Sequence, residues 1–116
     1  MISNQSTGVY IAYPTTKILK PTWRKRKTLV NNCHTNVGIT KKSFHSRELE
    51  YHLTFGGEVE FRYVAEIPVH QLEAIERQYL AKLREQYLTV GNARKWFVTD
   101  DRENMLAILK SVFKTN

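Results

Sequence analysis

The sequence predicts an α+β fold: a small mixed or antiparallel β-sheet of about three to four strands flanked by three α-helices, in a single domain spanning residues 1–116. Three observations lead there. Short runs rich in β-branched and aromatic residues, some with period-two alternation, are interleaved with runs of helical period. Glycines and prolines fall at the changes between them, where chain direction must turn. A chain of 116 residues, 41% of them hydrophobic, can bury one core and is too short for two comfortable ones.

"TGVYIAY" at 7–13 reads as the first strand, stopped by Pro14. The basic stretch 14–32 holds two of the three prolines and suits an extended excursion or hairpin outside the main sheet. "CHTNVGIT" at 33–40 is the next strand. Ser43 then offers a hydroxyl to an unpaired backbone N–H, capping a helix that runs to about Thr54 and is ended by Gly56 and Gly57. "EVEFRYVAEIP" alternates Val59, Phe61 and Tyr63 against Glu60 and Arg62, a strand with two distinct faces. "HQLEAIERQYLAKLREQYL" is a long amphipathic helix followed by Gly91. "KWFVT" forms a short last strand, and Asp100 with Glu103 resembles a capping box opening a terminal helix that buries Met105, Leu106, Leu109 and Phe113.

Charge is divided unequally along the chain. Residues 1–47 carry nine Lys or Arg and no acid, whereas residues 48–116 carry nine bases and eleven acids, so the net +7 is +9 followed by −2. Such a bias points to a polyanionic partner, because each cation that displaces a counterion from a phosphate chain strengthens binding. The single Cys33 rules out an internal disulfide framework and fits a reducing, cytoplasmic setting. No apolar run is long enough for a membrane span, no secretory leader pattern opens the chain, and the four histidines lack paired zinc-ligand spacing.

Two features exceed what a plain fold requires. With Leu72 set at zero and about 100° per residue, Ile75, Tyr79, Leu83 and Tyr87 form one apolar arc, and Glu76 falls inside it at about 40°. An ionised carboxylate there needs a cation partner, a metal, or a cleft; a partly exposed edge position is the plainer alternative. In the preceding helix Arg47 and Tyr51 are four residues apart and share a face beside a helix N-terminus preceded by Lys41 and Lys42, which suits a phosphate. An ordinary ion pair of Arg47 with Glu48 or Glu50 competes with that reading.

Taken in order, "GVY" at 8–10, "NVG" at 36–38, Arg47, Tyr51 and "ERQYLAKL" from Glu76 resemble the motifs of the GIY-YIG nuclease superfamily. "VGIT" at 37–40 and "WF" at 96–97 look closest to its short phage-associated branch. The resemblance covers nearly the whole chain and implies a GIY-YIG nuclease-like fold and a divalent-metal-dependent DNA endonuclease, with nicking as one mode. Tyr10 would hydrogen-bond or deprotonate the attacking water, the latter only if positive charge lowers its pKa. Arg47 would hold the scissile phosphate, Tyr51 would assist, and Glu76 would hold one Mg²⁺ or Mn²⁺. Gly38 would let a phosphate approach the strand end, and Asn92 would match a family asparagine near the end of the core.

With that reading, Trp23, Arg24, Lys25, Arg26 and Lys27 form a DNA-contact loop, supplemented by Lys41 and Lys42. RNA offers the same phosphate chemistry, and a homodimer would place two sites on a duplex. One departure stands out: Asn36 occupies the place where the family's second motif usually begins with tyrosine. Two rival readings follow, a non-catalytic nucleic-acid-binding protein on the same fold and a basic module that binds a protein partner.

Overall fold

The computed structural model describes residues 2–23, 26–91 and 93–114. In chain order the elements are β1 (Gly8–Pro14), β2 (Lys20–Trp23), β3 (Arg26–Val30), β4 (His34–Thr40), α1 (Phe44–Phe55), β5 (Val59–Glu66), α2 (Val69–Gln86), β6 (Trp96–Val98) and α3 (Arg102–Lys114). The fold is α+β, as its sequence predicts. The main sheet has the order β5-β1-β4-β6 with every neighbouring pair antiparallel, and the basic excursion folds into the separate hairpin β2-β3.

Period-two alternation in β1 sends its side chains to two cores. Val9 and Ile11 join Leu72, Tyr79, Leu83, Met105 and Leu109 beneath α2 and α3. Tyr10 and Ala12 join Phe44, Phe55, Phe61 and Trp96 on the α1 side. Burying apolar area on both faces, at roughly 25 cal/mol per Å², is what holds so thin a sheet in place. Gly8 permits the close stacking here, since a Cβ on it would lie 1.9 Å from the Ala65 carbonyl oxygen and 2.8 Å from the Phe44 ring.

α1 begins where its sequence predicts. Ser43 accepts the Ser46 N–H at 3.1 Å, and Gly56 closes the helix in a left-handed conformation (φ 63°) that a side chain would disfavour. The start of α3 differs from expectation. Its cap is Asp101, whose carboxylate accepts the Asn104 N–H at 3.1 Å, while Glu103 turns to Arg62 at 3.5 Å, so the Asp100–Glu103 box does not form. The helix starts at Arg102, one residue later than that box requires. α2 ends at Gln86 because Tyr87 is already extended (φ −127°, ψ 143°); the Tyr87 ring still packs beside Phe97. Among the described residues no helix is long and apolar enough to cross a membrane.

Candidate active site

β6 pairs with β4 only over His34–Asn36, and the Val37 N–H reaches the Lys95 carbonyl at 3.0 Å. Beyond that point the outer edge of β4 opens into a cleft of about 480 Å³ between the N-terminus of α1 and the first turns of α2. Its lining holds five cations, Lys41, Lys42, Arg47, Arg77 and Lys95, against two carboxylates, Glu73 and Glu76. Low-dielectric walls bearing an excess of one charge sign raise the local potential, and such a site attracts anions.

Deeper, at the edge of the α1-side core, three polar side chains form a chain. The Tyr51 hydroxyl donates to Asn36 Oδ1 at 2.9 Å and lies 3.0 Å from the Tyr10 hydroxyl. An amide oxygen only accepts, so with the Tyr51 proton on Asn36 the Tyr10 hydroxyl donates to Tyr51. The Tyr10 oxygen therefore keeps its lone pairs for another donor. The rings meet edge to face at 5.6 Å, and Tyr10 also stacks on Phe61 at 4.5 Å.

This packing changes the role expected of Gly38. Gly38 lies opposite Tyr10 in the β1–β4 ladder, and a Cβ on it would sit 2.5 Å from the Tyr10 hydroxyl. The phenol, rather than a phosphate, occupies the space that glycine leaves.

Electrostatics constrain the phenols. Burial raises the pKa of Tyr10, and the nearby Arg47 pulls the other way without prevailing. Tyr51 is raised further, by burial first and then by Tyr10. The lowering required for a tyrosinate base is absent from the free protein, and at neutral pH both groups are neutral phenols that orient partners through hydrogen bonds.

Arg47 lines the cleft and is paired with Glu50 at 2.9 Å, the ion-pair alternative weighed above. A guanidinium has five N–H donors, so this contact leaves others for an anion. Lys41 is paired with Glu73, whereas Lys42 has no ion-pair or hydrogen-bond partner among the described residues. Glu76 is the carboxylate that interrupts the apolar arc of α2. Its side chain is 18% exposed, and the Lys95 ammonium lies 2.8 Å from Oε2 without the alignment of a hydrogen bond. The next turn of the same arc brings the Tyr79 hydroxyl, which is buried and has no hydrogen-bond partner among the described residues; burial and the Glu76 charge raise its pKa strongly.

No protein-family model, no curated protein and no solved structure matches this chain. The functional reading therefore rests on the geometry. Of the residues that the sequence singles out, Arg47, Glu76, Lys41 and Lys42 share the cleft, whereas Tyr10 and Tyr51, in contact with each other, do not line it; Tyr51 lines a smaller pocket with Arg47 and Glu50. The side chains of Trp23, Arg24, Lys25, Arg26 and Lys27, and the whole of Asn92, lie outside the described residues. Sequence reading missed Glu73, Arg77 and Lys95 at the cleft. Arg77 directly follows Glu76 and Glu73 precedes it by one turn, a signal available on the helical wheel; Lys95 carries no such signal, since only the β4–β6 pairing brings it across.

Glu76 is the residue that would hold a divalent cation. Its side chain lines the cleft, while its buried Oε2 faces the Lys95 ammonium and has no aligned hydrogen bond among the described residues. Mg²⁺ commonly takes one or two carboxylates and completes its shell with waters and phosphate oxygens. Among the described residues no group of three or more His, Cys, Asp or Glu converges, so Glu76 would act as a lone protein ligand.

Proposed function

We propose that this chain is a GIY-YIG-type endonuclease that hydrolyses phosphodiester bonds in DNA with a divalent cation. The observation that carries the reading is the shared cleft of Arg47 and Glu76, five cations against two carboxylates, with Arg47 also lining a smaller pocket beside Tyr51, the hydrogen-bond partner of Tyr10. Arg47 and Glu76 also act electrostatically on Tyr10, which supports reading these residues, from three elements far apart in the chain, as parts of one site.

In this reading Glu76 would hold the cation, which when bound would supply Lewis acidity toward the phosphate. Arg47 binds the scissile phosphate through the donors Glu50 does not use and offsets the charge that grows in the transition state. Tyr10 accepts a hydrogen bond from the attacking water and orients it, while Tyr51 and Asn36 hold the phenol in that direction. Lys41 and Lys42 attract and fix the DNA backbone.

The test is nicking and linearisation of supercoiled plasmid in Mg²⁺ or Mn²⁺. Arg47→Ala and Glu76→Ala are each expected to slow cutting by about 10²-fold or more, with DNA affinity weakened only modestly. Cutting that survives both substitutions overturns the site assignment. A second reading, a DNA-binding protein without catalysis, draws on Asn36 in place of the second-motif tyrosine; it predicts binding with no cutting in either metal. Absence of any salt-dependent DNA binding would sink both readings.

A further inference from the structure

Lys95 enters the cleft from the strand approach to β6, outside every motif in the family resemblance, and its ammonium lies 2.8 Å from Glu76 Oε2. That oxygen is buried, and the contact is a charge pairing without an aligned hydrogen bond. The Lys95 side chain is 43% exposed, so its flexible stem can swing away from the carboxylate. A carboxylate with so little access to water calls for a positive charge beside it. In the free protein Lys95 supplies it, from the position at which a cation bound to Oε2 would stand. The two positive charges cannot share that oxygen without repulsion.

We propose that Lys95 is a built-in counter-ion at the cation position of Glu76, and that cation binding displaces its ammonium onto a phosphate of the DNA in the same cleft. The inference rests on the nuclease reading above. It makes Lys95 and the cation competitors at Glu76, and makes them cooperative toward DNA.

The experiment measures Mn²⁺ affinity by titration calorimetry and DNA affinity by fluorescence anisotropy of a short duplex, in Ca²⁺ and in EDTA. Lys95→Met and Lys95→Gln are both used, each checked for an unchanged thermal melt, together with Glu76→Gln. The Lys95 variants are expected to bind Mn²⁺ at least about fivefold more tightly than wild type, and Glu76→Gln to lose that binding. They are also expected to weaken DNA binding in Ca²⁺ and to leave it unchanged in EDTA, where Lys95 is held by Glu76. Mn²⁺ binding that depends on Glu76 but is unchanged or weakened by the Lys95 variants overturns the proposal and leaves the nuclease reading standing. An equal loss of DNA affinity with and without Ca²⁺ overturns it too. Failure of wild type to bind Mn²⁺ at all removes the cation site and the proposal together.

Discussion

At Gly38 a single absent methyl group decides whether the phenol chain exists. A Cβ there would lie 2.5 Å from the Tyr10 hydroxyl, and Tyr10 is pinned on its other side by Phe61. Gly38→Ala is therefore expected to cost about 1–3 kcal/mol and to break the Tyr10–Tyr51 contact; urea unfolding and the loss of plasmid nicking measure the two effects, and an alanine variant with wild-type stability contradicts this packing. Glu76 was legible at the residue scale, because a charge inside an apolar arc is anomalous whatever the fold. The Asn36–Tyr51 bond was not, because it joins residues on a strand and a helix whose relative placement no local pattern encodes. The same holds for Gly38: its glycine could be read from the sequence, but the side chain that requires it could not.

Elements were easier to read than their ends. The β-branched and aromatic run of β1, the alternation in β5 and the apolar arc of α2 are summed over many residues, so a single exception does not hide them. Caps depend on one residue and shift readily by a position, as α3 demonstrates. Asp101→Ala is expected to lower stability by about 1 kcal/mol, and Asp100→Ala to change it by less than about 0.5 kcal/mol. Thermal melts of the two variants decide between the caps, and the reverse ranking would restore the Asp100 box. The excursion was legible as a departure from the main sheet because its prolines and charge fit poorly inside a ladder, and it is the hairpin β2-β3.

Across the whole molecule, burial of phenols sets the response to alkali. Tyr10, Tyr51 and Tyr79 have raised pKa values because they are buried, and burial with a hydrogen bond to Glu48 pushes Tyr63 up to about 12. The unfolded chain releases these protons near the ordinary phenol value of about 10, before the folded protein does. Their contribution to stability is thus fully present below that pH and is lost as pH rises through the folded values. Melting temperature should hold steady to about pH 9.5 and fall above it. Tyr79→Phe removes an unpartnered buried hydroxyl, so it should flatten that fall and leave neutral-pH stability equal or slightly higher. A melting temperature insensitive to alkali, or a phenylalanine variant that melts lower, counts against this account of the core. The unequal distribution of charge was legible from the sequence; that Lys41, Lys42 and Arg47, three of its nine early cations, line one cleft with Arg77 and Lys95 required the fold.

The position of β1 has a bearing on how the protein is made. It is the first strand synthesised, yet it pairs on both sides with strands that come later, β4 and then β5. Sheets closed by such distant pairings assemble in milliseconds to seconds, after their last strand is available. A growing chain that has reached only β4 carries Tyr10 and Asn36 but not yet Arg47, Tyr51 or Glu76. The cleft therefore forms only once α2 and the approach to β6, which bring Glu76 and Lys95, have followed β4 and α1 into the fold.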